Sequence, residues 1–101
     1  MTDTTLNIVY TETETKGRYV ARVDGVTDEG ALTTSKVTDT LIIADHTYVP
    51  DSLRGRGIAQ ALADRLIADA RAKGQRIVPL CPFVRGYAMR HREALDDVIQ
   101  W

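Results

Sequence analysis

A chain of 101 residues with 13 Lys/Arg, 14 Asp/Glu and a net charge of −1 has room for a single domain, residues 1–101, and none for a second independent core. No apolar run approaches the roughly 20 residues of a membrane span, the start Met-Thr-Asp-Thr-Thr lacks the basic and apolar regions of a signal peptide, and the lone Cys81 excludes a disulfide framework. These features predict a cytoplasmic protein with no membrane partner and no nucleic-acid footprint, although residues 1–50 carry four Lys/Arg against eight Asp/Glu and residues 51–101 carry nine against six, a balance that leaves the second half suited to a compact anion.

Leu6, Ile8 and Tyr10 alternate with polar neighbours and predict a strand over about residues 5–13. Thr15-Lys16-Gly17 reads as a turn. Tyr19, Ala21 and Val23 give a second strand, closed by the turn dipeptide Asp24-Gly25. A third, rich in Thr and Ser, spans about residues 29–36. Leu41-Ile42-Ile43-Ala44 is an apolar run of the kind covered on both faces of a sheet, extended to Val49 and closed by Pro50, which cannot donate to a ladder.

Asp51 or Ser52 is the expected cap of a helix whose apolar positions Ile58, Ala59, Leu62, Leu66, Ile67 and Ala70 follow helical spacing, with Gly74 as its stop. Ile77 to Cys81 reads as a strand parallel to the one before, because a helical crossover joins them. Its Pro79 predicts an edge position or pairing on one side only. Pro82 opens a second helix with Phe83, Val84, Tyr87, Ala88, His91 and Leu95 on its inward stripe. Gly86 weakens that helix by about 1 kcal/mol relative to alanine, which suggests close approach by another group. The tail from Asp96 to Trp101 is too short to assign. The whole is an α+β mixed, mostly antiparallel sheet with two main helices.

The junction between the fourth strand and the first helix carries the chemistry. Arg54 and Arg56 are placed in the first helical turn, where the macrodipole disfavours each cation by roughly 0.3–1 kcal/mol unless an anion compensates. Unpaired amides and the glycines Gly55 and Gly57 complete a phosphate cradle. The bland alternative is an exposed helix start with solvated arginines. The run Gly55-Arg56-Gly57-Ile58-Ala59-Gln60 is not the full dinucleotide fingerprint, and no P-loop pattern occurs.

Arg54-Gly55-Arg56-Gly57-Ile58-Ala59 matches the acyl-CoA signature [Gln/Arg]-x-x-Gly-x-[Gly/Ala] of the GNAT N-acetyltransferases. With His46-Thr47-Tyr48-Val49-Pro50 and Val78-Pro79-Leu80-Cys81-Pro82-Phe83-Val84, Tyr87 and His91, the chain resembles the compact single-domain GNAT-like group of about 100 residues. One departure is His91-Arg92-Glu93, where the group commonly has His-Pro-Glu. The resemblance implies splayed parallel fourth and fifth strands with pantetheine between them. It implies acetyl-CoA as cofactor, Val49 offering backbone hydrogen bonds to pantetheine, and the amides of Leu53, Arg54, Gly55, Arg56, Gly57, Ile58 and Ala59 holding the pyrophosphate. No metal is expected.

Acetyl transfer needs a base for the amine and a proton donor for the departing thiolate. His46 is the candidate base, placed by strand parity on the face of Ile42, Ala44 and Tyr48 unless a bulge intervenes. Cys81, just before a helix start, is the candidate acyl acceptor, acting alone or activated by His46. Tyr87 resembles the tyrosine that relatives use as general acid. Each has a structural alternative: a hydrogen-bonded histidine, an apolar filler and a core aromatic. The expected function is N-acetyl transfer to a protein lysine, a polyamine or a small amine; the alternative is a CoA-binding or acyl-CoA-sensing module without catalysis. Short edge strands leave pairing across a dimer open.

Overall fold

The structure, a computed structural model, describes residues 6–101. The first residue assigned to the opening strand, Thr5, and the rest of the N-terminal stretch read for a signal lie outside the described residues. The elements in chain order are β1 (Leu6–Glu12), β2 (Lys16–Val23), β3 (Glu29–Thr38), β4 (Leu41–Tyr48), a 3-10 turn (Asp51–Leu53), α1 (Ile58–Lys73), β5 (Arg76–Pro79), α2 (Pro82–Arg90) and α3 (Arg92–Leu95).

The five strands lie in sequence order in one sheet, antiparallel from β1 to β4 and parallel between β4 and β5. Their alternation has a direct cause. Gly17, Tyr19, Ala21 and Val23 on β2 and Gly30, Leu32 and Thr34 on β3 are buried under the helices, while their neighbours face outward. α1 and α2 cover the same face, and Leu62, Leu66, Val84 and Ala88 join Leu32, Ala44 and Ile77 in one core. The opposite face is open. Among the described residues no helix is long and apolar enough to cross a membrane.

β5 sits at the sheet edge, where Pro79 is tolerated. The C-terminal tail closes that edge: Ile77 N–H donates to Val98 O at 2.8 Å and Gln100 N–H to Ile77 O at 2.8 Å. Arg76 secures it by donating to the carbonyls of Asp96, Asp97 and Ile99 at 3.1, 2.9 and 2.7 Å.

Several sequence expectations need correction. The turn expected at Thr15-Lys16-Gly17 lies earlier, at residues 13–15, and Lys16 and Gly17 open β2. α1 begins at Ile58, so Arg54 and Arg56 precede the helix instead of occupying its first turn. Neither Asp51 nor Ser52 caps it; the cap is Gly57, and the Ser52 hydroxyl donates to Asp28 at 2.6 Å. β5 stops at Pro79, two residues short of Cys81, which becomes the N-cap of α2. α2 ends at Arg90, because His91 leaves helical geometry at φ −120° and ψ 36°; His91 is exposed, and Leu95 reaches the core from α3 instead.

Candidate functional site

The site forms where β4 and β5 part. They pair from Leu41–Arg76 to Ala44–Pro79, and Cys81 N–H then donates to Ala44 O at 2.8 Å. Pro79 has no N–H with which to continue the ladder, and Leu80 N–H turns back to Val78 O at 3.0 Å. Beyond that point β4 runs on to Tyr48, bonded only to β3, while the other chain swings into α2. A split is left between them.

A β-bulge in β4 decides which side chains face the split. Ala44 pairs with Thr34 and His46 pairs with Thr33, so Asp45 is an inserted residue. Strand parity therefore inverts. Thr47 pairs with buried Leu32 and faces the helices; His46 and Tyr48 pair with Thr33 and Ala31 and face the open side. The expectation that His46 shares a face with Ile42 and Ala44 is overturned, and the residue is exposed.

Thr47 takes the inward place instead. Its Oγ1 lies 3.0 Å from Cys81 Sγ, and the cysteine is 1% exposed. His46 and Cys81 thus present their side chains to opposite sides of the sheet, which removes the geometric basis for a His–Cys pair acting in concert. Tyr87 stacks edge-on against His91, with ring centroids 4.7 Å apart, and donates its hydroxyl to Asp64 Oδ1 at 2.5 Å. That hydrogen bond, followed by partial burial, raises its pKa above the ordinary phenol value.

The start of α1 builds the second half of the site. Leu53 is fully buried and anchors the 3-10 turn, leaving its backbone toward the groove. Gly55 and Gly57 adopt φ of +79° and +72°, the left-handed region that a side chain would strain, and nothing lies within 4 Å of where a Cβ would project. The first helical bond of α1 is Ala61 N–H to Gly57 O at 3.0 Å. Among the described residues the amides of Gly55 to Gln60 have no acceptor, and the first turn holds neither an acidic side chain nor a side-chain cap. Unpaired amides at a helix start are the kind of donors that suit an anion.

These amides open on a groove of about 280 Å³ lined by Val49, Arg54, Gly55, Gly57, Phe83 and Arg90, among others. Arg54 is steered there by Asp51 at 3.0 Å and by Val49 O at 3.4 Å. Tyr87 and Cys81 do not line it. Sequence reasoning missed Arg90, which is not on the inward stripe read for the second helix, and Thr47, which the bulge turns inward. The sequence carries no signal for Arg90: it lies one turn after Gly86, where a Cβ would meet Arg90 Nη1 at 3.5 Å. That is ordinary contact, so Arg90 does not explain why residue 86 is glycine.

A pyrophosphate fits this donor set: unpaired amides at a helix N-terminus, flanked by guanidinium groups from two elements. No group of three His, Cys, Asp or Glu side chains able to hold a metal gathers among the described residues. The model of the GCN5-related N-acetyltransferases matches residues 18–98. A comparison with curated proteins gives no match.

Proposed function

The chain belongs to the GCN5-related N-acetyltransferase family, and from that premise we propose that it moves the acetyl group of acetyl-CoA to an amine acceptor. The observation that carries this reading is the uncapped start of α1, with its free amides from Gly55 to Gln60 beside Arg54 and Arg90. In this proposal the backbone of Leu53 to Ala59 holds the pyrophosphate, with Arg56 contributing its amide, Arg54 and Arg90 neutralise it, and Val49 bonds pantetheine at the mouth of the split. Acetyl-CoA supplies the activated thioester. The single free thiol suits a cytoplasmic setting.

Two routes are open to the residues present. In direct transfer the imidazole of His46, exposed on the open face, takes the proton of an amine arriving from that side. The departing CoA sulfur then takes a proton from Tyr87, whose hydroxyl must first leave Asp64. In the two-step route Cys81 Sγ accepts the acetyl group and yields its proton to the CoA sulfur; the amine then attacks the acetyl-Cys81 thioester and the thiol is restored. We favour direct transfer, because a thiol that is 1% exposed is less accessible to an acceptor than an exposed imidazole. The acceptor is a protein lysine, a polyamine or a small amine.

The competing reading is a CoA-binding module without turnover. Both readings require CoA to bind. Release of free CoA from acetyl-CoA on addition of an amine, measured by thiol titration, supports the transferase; binding without amine-dependent release leaves only the module.

A further inference from the structure

Three of the large apolar side chains most exposed on this protein gather on one surface: Leu80 is 66% exposed, Met89 53% and Trp101 41%. Together with Val78 they line a groove of about 530 Å³ between β5, α2 and the C-terminal tail. Such clustering marks a contact surface more strongly than single exposed apolar residues do. The charge of the groove is one-sided. Arg85 and Arg92 line it and, among the described residues, no Asp or Glu side chain does; the nearby Asp96 accepts a bond from Trp101 Nε1 at 3.2 Å. The Arg92 guanidinium lies 4.3 Å from the Trp101 ring centroid, an arrangement that holds the indole in place.

We propose that this groove docks an acidic segment with apolar anchors on a protein acceptor. The arginines select the partner's carboxylates, while Leu80, Met89 and Trp101 take its apolar side chains. A second copy of this chain is disfavoured, since two such faces would bring arginine against arginine. Leu80 immediately precedes Cys81, so a segment held here lies beside the split between β4 and β5 and delivers a neighbouring lysine to it. The inference rests on the transferase reading for that consequence and on the groove alone for the docking.

The test uses Trp101, the only tryptophan of the chain, as its probe. A synthetic peptide of Glu and Leu carrying one Lys is titrated against the protein, beside a counterpart with Lys in place of Glu. The acidic peptide is expected to shift Trp101 emission and to weaken about tenfold or more in R85E and in the double variant R85E/R92E. R85E leaves the Trp101 stack intact, so a change of baseline emission is not mistaken for lost binding. The KM for acetylation of the acidic peptide rises in parallel, while CoA release with spermidine stays at the parent rate. Docking that depends on charge without turnover of any amine sinks the transferase reading and keeps the groove. Spermidine turnover with no preference for the acidic peptide overturns the docking proposal. So does a Trp101 shift with phosphatidylserine vesicles but not with the peptide, or a dimer that excludes the peptide.

Discussion

Thr47 Oγ1 and Cys81 Sγ stand 3.0 Å apart across the split, a contact that exists because the bulge at Asp45 turns Thr47 inward and His46 outward. The same insertion separates the two candidate groups of the chemistry. It makes direct transfer and acetyl-cysteine transfer two distinct routes, each with its own residue.

Substitution separates them. Cys81→Ser keeps a hydroxyl able to bond Thr47, and under direct transfer it holds amine-dependent CoA release within about threefold of the parent. His46→Ala should lower kcat by about 10²- to 10⁴-fold, the range expected for losing a general base. The opposite pattern, a collapse in the serine variant and a near-normal rate in the alanine variant, assigns the reaction to Cys81.

The proposed cradle uses backbone that only glycine adopts cheaply. Gly57→Ala forces a side chain into φ +72° and should cost about 1–2 kcal/mol of stability. It also points a methyl into the space the anion needs, so CoA binding by calorimetry should weaken at least about tenfold, more than the loss of stability alone explains. Arg90→Ala should weaken CoA without destabilising the fold, and by less in high salt, since exposed charges are screened.

The Tyr87 hydroxyl donates a hydrogen bond to Asp64 at 2.5 Å. If that bond is its whole role, Tyr87→Phe loses about 0.5–1.5 kcal/mol of stability at most and leaves kcat nearly unchanged. A fall in kcat of about 10²-fold with normal melting identifies it as the acid for the CoA sulfur.

Acid should loosen the C-terminal tail. Arg71 donates to Asp97 at 3.0 and 2.8 Å, and that hydrogen bonding holds the Asp97 carboxyl below its ordinary value of 3.8. The folded state therefore favours the ionised form. The stabilisation is present above about pH 4 and is lost as pH falls through the depressed value. Asp97→Asn should lower Tm at pH 7, with the gap to the parent narrowing as pH falls below about 4 in melting curves.

Most of the fold was legible because it is local. Tyr19, Ala21 and Val23 show period two, and Ile58 to Ala70 show helical spacing, each within a dozen residues. What escaped depends on distant partners. The bulge at Asp45 arises from register against Thr33 and Thr34, which no pattern within Leu41–Tyr48 reveals, so parity carried through it misplaced His46 and concealed Thr47. The tail from Val98 to Gln100 lacks any period of its own and is ordered by Ile77 and Arg76. Leu53 to Ala59 is a local run and so legible as a candidate cradle, although two left-handed glycines delay the helix and keep both arginines ahead of it. Arg90 joins that groove only because α2 packs beside α1.

The central claim is that the start of α1 binds the pyrophosphate of CoA. A thermal-shift measurement of the parent and Gly57→Ala proteins with CoA, acetyl-CoA and NAD tests it most directly. At about 100-fold excess over Kd, CoA and acetyl-CoA should raise the parent Tm by about 10 °C or more, through preferential binding to the folded state, and should do much less for the variant. Stabilisation by NAD alone, or no shift with CoA, contradicts the account.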